Sequence, residues 1–476
     1  MNMSRAMRWA RVLGVMGLLL ALGGARAQEA RAETGSSPAP APPAGSPYAL
    51  RRQRLLERFA DGIVLLHARS TPKAEDQPSF VQDATFFYFT GLGHQAGAIL
   101  ALDGPRKEAR LFVPPPPEAF GFRVEGVDVA PGAESARALG LSRVEPWDAL
   151  VPYLRARRSE GVTRFYIDEA RRSEAIGAPA TLAPVAGDKT LWRRAIVEAL
   201  PGARVESAAP AIREMRWVKS PEEITALRRT AQITAMALRA GLRSLRPGVR
   251  QRRAEAAVIT ACIEAGGDRP SFWPWTMSGP NAHVPALVRS VYDERQLDRT
   301  MQAGELVRVD IGCGLDGYGA DVGRTAPVSG HFEAGQRETW NLLIAAYRAG
   351  LAAIRPGATI AQVMAAAREA LVRRGQVTTG GQDQLVTAQA REAVRSLTAP
   401  KGMGTWTLHG VGIDSGEAPL DTLAAGAVIA FEPTFSAGTD AFYLEDMILV
   451  TASGYEVLSA GLPYTAEEIE AAMAGR

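Results

Sequence analysis

Cysteine is nearly absent: Cys262 and Cys313 are the only two in 476 residues. At most one internal disulfide is therefore available, and sequence does not tell whether the pair lies close enough to form it. Cys313 reads as a buried packing residue, with pairing left open and thiolate ligation as the minor reading. Charge of one sign is also lacking. The 54 basic residues against 51 acidic ones give a net +3, which excludes electrostatic steering toward nucleic acid. Long hydrophobic runs are missing too. The apolar stretch at residues 12–22 is too short for a stable membrane span. Histidine is scarce, with five in the chain.

That short run has a different use. Arg5, Arg8 and Arg11 precede it, and Ala25-Arg26-Ala27 follows as a small-x-small cleavage site. Residues 1–27 read as a secretory signal peptide. No cysteine stands near the cleavage site and no paired arginine precedes the run, which favours the general export route over lipoprotein anchoring or twin-arginine export. Its removal leaves 50 basic against 51 acidic residues. The expected location is periplasmic or extracellular, with no membrane association afterwards. Residues 28–47, rich in Ala, Pro, Ser and Gly, read as an extended linker.

The stretch that organises the rest is 305–325, ELVRVDIGCGLDGYGADVGRT. Val307 and Val309 alternate with Arg308 and Asp310, the pattern of a half-buried strand. Glycines then turn the chain, and a second strand brings Asp321 back beside Asp310. Two adjacent carboxylates repel unless a proton or cation lies between them, and a divalent metal suits the site. The plainer alternative is a hairpin whose aspartates cap turns. The arrangement, however, occurs twice. The run Ala303 through Asp310 is echoed from Ala425 to Glu432, so Asp310 corresponds to Glu432. Asp321 corresponds to Glu445, and Trp275-Thr276-Met277-Ser278-Gly279 to Trp406-Thr407-Leu408-His409-Gly410. Leu245-Arg246-Pro247-Gly248 corresponds to Ile354-Arg355-Pro356-Gly357, each between amphipathic stretches. An internal duplication predicts two facing halves whose four carboxylates meet, joined by His409 from the second half alone. Five such ligands suit a pair of divalent ions.

Residues 48–210 alternate helical and strand patterns without a concentrated polar constellation, so an α/β domain with a shaping or oligomerising role is expected. Residues 211–476 open on Ser220-Pro221-Glu222-Glu223, a capped helix start. Helices are predicted to follow to Pro247-Gly248, over 252–264, 336–353 and 360–374. The polar segment 376–399 breaks the symmetry and reads as an insertion over or beside the site.

Asp310, Gly312, Gly317, Tyr318 and Asp321, then His409-Gly410-x-Gly412, Glu432-Pro433 and Glu445-Asp446 resemble the five-ligand pattern of the pita-bread metallopeptidases. Arg51-Arg52-x-Arg54-Leu55 and Thr85-Phe86-Phe87-Tyr88-Phe89-Thr90-Gly91 resemble the N-terminal domain of aminopeptidase P within that superfamily. The resemblance implies an α/β (α+β) chain: an aminopeptidase P-like N-terminal domain, then a pseudo-two-fold pita-bread catalytic domain. It implies two divalent ions, most often Mn2+, with Co2+ or Zn2+ as substitutes. Asp310, Asp321, His409, Glu432 and Glu445 would hold them. It implies hydrolysis of the N-terminal Xaa-Pro bond of a peptide by a metal-bridging hydroxide, with Glu432 as general base, and it allows a homo-oligomer.

Three positions depart from the family pattern. Ala286 and Gly416 stand where relatives carry substrate-binding histidines, and Tyr443 stands where they carry arginine. A missing oxyanion donor typically costs ~3–4 kcal/mol. His283 is the obvious substitute. Trp275, with Trp273, is a candidate apolar wall for a proline ring, and Tyr443 a candidate substrate contact; core packing explains the tryptophans equally well. The alternatives are a degenerate pita-bread protein that binds metal or peptide with little turnover, or a related hydrolase without proline specificity.

Overall fold

The computed structural model describes residues 46–70, 80–116, 129–169, 188–283, 298–377, 387–398 and 406–475, with a few short pieces between them. The expected signal peptide and all but the last two residues of the expected linker lie outside the described residues. The chain divides into two compact units, residues 1–165 with 197–204, and residues 166–196 with 205–476.

The first unit is built on strands β1 (Gly62–His67), β2 (Ile99–Asp103), β3 (Glu108–Val113) and β4 (Arg143–Pro146), adjacent in the order β4-β3-β2-β1. The first three pair antiparallel, and β4 joins β3 in parallel. β1 and β2 are apolar and buried along almost their whole length, as their unbroken Ile/Val/Leu/Ala runs require. Arg51 and Arg52 of the N-terminal motif act structurally. They lie in helix α1 (Pro47–Arg58), and helix α2 (Ala84–Thr90) ends at Gly91 in the left-handed region. Arg51 Nη1 donates to the Tyr88 carbonyl at 3.1 Å and Arg52 Nη1 to that of Phe89 at 2.8 Å. These carbonyls at the end of a helix have no intrahelical partner, so a cation is favoured there. Burial lowers the Arg52 pKa to about 10.

The second unit carries the duplication in its strand order. Its sheet contains β5 (Trp275–Ser278), β6 (Leu306–Ile311), β7 (Val322–Pro327), β8 (Trp406–Gly410), β9 (Val428–Ala437), β10 (Asp440–Val450) and β11 (Tyr455–Val457). The order is β5-β6-β7-β10-β9-β8, with β11 also paired to β10. Read from either edge, the six-strand path gives the same succession: an edge strand, then the two strands of a hairpin. The pseudo-two-fold therefore passes between β7 and β10, as the paired sequence motifs predict.

Helices repeat the same plan. Helix α3 (Pro221–Ser244) starts at a capping box in which Ser220 and Glu223 satisfy each other's backbone N–H groups. Helix α4 (Arg252–Glu264) packs on it, and α5 (Ala334–Ala353) with α6 (Ile360–Val377) forms the equivalent pair. Gly241 in α3 and Gly350 in α5 occupy equivalent places. A Cβ on Gly241 would meet Val258 at 2.8 Å, and one on Gly350 would meet Phe431 at 2.5 Å. Glycine in both lets the helices approach their neighbours closely. Within the segment read as an insertion, helix α7 (Ala388–Thr398) packs on α5, α6 and β9, and Gln389 Nε2 donates to Asp440 Oδ2 at 2.7 Å. Residues 378–386 lie outside the described residues.

Cys262 of α4 and Cys313, just beyond β6, are bonded to each other, with Cα atoms 5.7 Å apart. Both are fully buried, so the packing role expected of Cys313 and the pairing left open are both present. The bond closes a loop with a sequence separation of 51 and anchors the chain three residues after Asp310. Replacing both cysteines by alanine should cost about 2–4 kcal/mol, read as a lower denaturation midpoint. Thiol titration of the unfolded, unreduced wild-type protein should find no free thiol.

Candidate metal centre

Strand register determines which side chains meet. Asp310 on β6 pairs with Gly323 on β7, and Gly323 pairs with Glu445 on β10. On β9, Phe431 pairs with Asp446 and Thr434 with Tyr443, so Glu432 lies across from Glu445 where the ladder opens at Pro433. Proline has no N–H to close it. Cross-strand partners share a face, so Asp310, Gly323, Glu445 and Glu432 form one row across four strands. Asp321, two positions before Gly323, falls on the same side. His409 pairs with Ala430, two before Glu432, and joins that face.

The two halves differ at their edges. Ser278, aligned with His409 by the sequence echo, pairs with Val307 and so faces away from Asp310. A one-residue difference in register turns an edge strand's side chains over. Only the second half therefore delivers an imidazole. In the first half Trp275 pairs directly with Asp310 and stands beside it on the carboxylate face.

Asp310, Asp321 and Glu445 are buried, whereas Glu432 and His409 are half-buried. His409 Nε2 lies 3.5 Å from Glu432 Oε1, 3.6 Å from Asp321 Oδ2 and 3.9 Å from Glu445 Oε1. Asp321, His409 and Glu445 offer ligand atoms that all lie within 4.8 Å of one another. These separations exceed good hydrogen bonds. They suit atoms arranged around a shared cation at about 2.0–2.2 Å from each. Glu445 Oε1 is buried without any hydrogen-bond partner, an arrangement that a cation would satisfy. Burial first, then the Asp310 and Glu432 carboxylates, push the Asp321 carboxyl well above its usual range. Burial, then Asp321, Glu432 and Asp310, do the same to Glu445. A hard, oxygen- and imidazole-ligated divalent ion fits this donor set and reverses those shifts.

Arg308, which motif reading left aside, and Tyr443, read there as a candidate substrate contact, complete the floor. Arg308, two before Asp310 on the same face, donates from Nη2 to Asp310 Oδ2 at 2.8 Å. Its Cζ lies 3.5 Å from the centroid of the Tyr443 ring. Burial opposes its charge, but Tyr443, Asp310 and Glu432 overcome that and hold its pKa above the ordinary value. The Tyr443 hydroxyl donates to Glu445 Oε2 at 2.5 Å, with Glu432 Oε2 at 3.4 Å. Gly323 makes room for that ring, since a Cβ there would stand 1.9 Å from Tyr443 Cε1. The alternation of Arg308 with Val307 and Val309 was the available sequence signal. Nothing in the sequence marked Gly323, because its need arises from a ring on another strand.

His283 is engaged elsewhere: Nδ1 lies 2.9 Å from Ser436 Oγ and Nε2 3.0 Å from the Thr439 carbonyl, at the turn of the β9–β10 hairpin. Ala286 is buried, whereas a Cβ on Gly416 would meet nothing within 4 Å. Trp273 is about half exposed, and its Nε1 donates to Glu255 Oε2 at 3.3 Å.

Residues 225–452 match Metallopeptidase family M24, and residues 48–154 match the Aminopeptidase P, N-terminal domain. The Xaa-Pro aminopeptidase of Escherichia coli K12 is 28% identical over 461 residues, covering 89% of this chain and 96% of that protein. The Haemophilus influenzae Xaa-Pro aminopeptidase is 26% identical over 447 residues, covering 88% of this chain and 95% of that one. The chain belongs to the aminopeptidase P family. The structure of E. coli aminopeptidase P with the inhibitor Pro-Leu superposes with a TM-score of 0.69 at 25% identity, covering 90% of this chain and 98% of that one. The aminopeptidase P fold and a hydrolytic metallopeptidase activity follow from this membership. Divalent metal ions are likewise implied by the family.

A carboxyl whose folded pKa is raised binds more protons folded than unfolded. Its contribution to stability is present below the ordinary carboxylate range, near pH 4, and is lost as pH rises through the folded value. Asp321 and Glu445 should therefore destabilise the metal-free protein as pH rises, and a bound cation should remove that loss. The increase in Tm on adding Mn2+ to chelated protein should grow from pH 5 to pH 8. An increment independent of pH would show that the cation binds elsewhere.

Proposed function

We propose that the chain is an exported, two-metal aminopeptidase that releases the N-terminal residue of peptides whose second residue is proline. The observation that carries this reading is the single row Asp310–Gly323–Glu445–Glu432, joined by Asp321 and His409. Asp310 and Asp321 would hold one ion and His409, Glu432 and Glu445 the other. Bound there, two divalent ions, manganese by preference with cobalt or zinc as substitutes, would lower the pKa of a shared water toward neutrality and polarise the scissile carbonyl. Glu432, the half-buried member of the row, takes the proton from the attacking water and passes it to the leaving prolyl nitrogen. Trp275, directly across from Asp310, offers a flat apolar wall to the proline ring.

Export is supported by the residues at the N-terminus and by the Cys262–Cys313 bond, which persists best in an oxidising compartment such as the periplasm or extracellular space. The proline preference rests on family membership and on Trp275.

The test is amino-acid release from an Xaa-Pro-Xaa tripeptide and its Xaa-Ala-Xaa twin, with Mn2+ and after chelation. Manganese-dependent cleavage confined to the prolyl peptide is expected. Cleavage of the alanyl twin alone would remove the specificity, and no release from a metal-loaded protein would leave a binding protein. Because Gly416 borders open space, Gly416→His should be accommodated and should raise kcat/KM on the prolyl peptide about tenfold or more, by supplying a donor to the reacting oxygen. An unchanged rate would mean that this position no longer reaches the substrate.

A further inference from the structure

We infer that Arg308 and Tyr443 form a buried clamp that positions Asp310 and Glu445 for metal binding. The inference rests on the reading that this row holds divalent cations.

The seam between the two halves is narrow. β7 and β10 share only two paired positions, Gly323 with Glu445 and Arg324 with Leu444. The carboxylates on either side belong to different halves, and backbone pairing alone gives little control over their separation. The clamp crosses that seam on the carboxylate face. Its first link is the 2.8 Å bond from Arg308 Nη2 to Asp310. Its second is the stack of the guanidinium on the Tyr443 ring at 3.5 Å, the contact expected of a cation over an aromatic face. Its third is the 2.5 Å bond from the Tyr443 hydroxyl to Glu445 Oε2. One continuous path thus runs from a ligand of the first half to a ligand of the second.

Three features hold Tyr443 in this pose. Gly323 leaves the space that the ring fills, Arg308 covers the ring, and the Tyr443 N–H donates to Thr325 Oγ1 at 2.8 Å. The phenol also selects between the two oxygens of Glu445. It takes Oε2, which leaves Oε1 without a partner, 3.9 Å from His409 Nε2. A hydrogen bond that fixes one carboxylate oxygen and presents the other is how outer partners orient a metal ligand. The planar guanidinium does two jobs at once, lying flat on the ring and donating in its own plane, and a lysine ammonium has no plane to stack. Arg308 and Tyr443 are positioning residues in this scheme and need not touch the substrate.

The test is calorimetric titration of the chelated full-length protein with Mn2+, comparing wild type, Tyr443→Phe and Arg308→Lys. Tyr443→Phe keeps the ring over Gly323 and the stack with Arg308, and deletes only the hydroxyl. It should weaken at least one Mn2+ site about 10–100-fold, and the metal-free protein should still fold, with a Tm lowered by the loss of one buried hydrogen bond. Excess Mn2+ should then restore much of kcat, as for a defect in metal positioning. Arg308→Lys should weaken Mn2+ binding by a similar factor. If it fails to fold, Tyr443→Phe decides alone. Mn2+ affinity of Tyr443→Phe within twofold of wild type would overturn the clamp, whether or not activity falls. Absence of Mn2+ binding by the wild type would overturn the metal reading and the clamp together, so the two failures are distinguishable.

Discussion

Mutual repulsion among buried carboxylates is the constraint on which the second unit depends. Asp310, Asp321, Glu432 and Glu445 meet on one face of one sheet, and burial strips away the water that would screen them. Such a cluster is tolerable only when it takes up protons or has positive charge beside it. Among the described residues the protein supplies Arg308 as a permanent cation and leaves Glu445 Oε1 unpartnered. The rest is left to bound metal. Much of the surrounding architecture serves to hold this unfavourable arrangement in place.

The duplicated scaffold shows how. Each half contributes a hairpin whose inner face carries two carboxylates and whose outer face packs on a helix pair. Gly241 and Gly350, at equivalent places in the two halves, leave room for close neighbours: Val258 of the paired helix in the first, Phe431 of β9 in the second. The back of the seam is secured as well. Arg324 Nη2 donates to Asp446 Oδ1 at 2.9 Å, and Tyr347 and Ser459 donate to the same carboxylate. Glu445 and Asp446, neighbours in sequence, thus face opposite sides of the sheet with opposite tasks. One is left ready for a cation and the other is fully satisfied by protein donors.

Symmetry is broken where chemistry needs it broken. A one-residue difference in register at the two edge strands gives His409 to the carboxylate face and turns Ser278 away. Trp275 takes the place beside Asp310 instead. The centre is accordingly lopsided, with imidazole at one end and an apolar indole at the other. That lopsidedness suits the proposed substrate, a free amino terminus followed by a ring.

The sequence by itself determined the two-half plan, the helices between the halves and which five candidate ligands to look for. Those signals are local: alternation along a strand, a capping box, and motifs repeated at matching spacing. The first half's strands were legible for the same reason. Tertiary structure decided what depends on pairing between distant strands. It joined Cys262 to Cys313, which spacing alone leaves open because distance in the chain says nothing of distance in space. It turned Ser278 away although the motif alignment equates it with His409, since register is a property of two strands together. It engaged both nitrogens of His283 at a hairpin turn that sequence does not place beside it. It laid Tyr443 across Gly323 and under Arg308, three residues from three strands whose contact follows only once the sheet has closed.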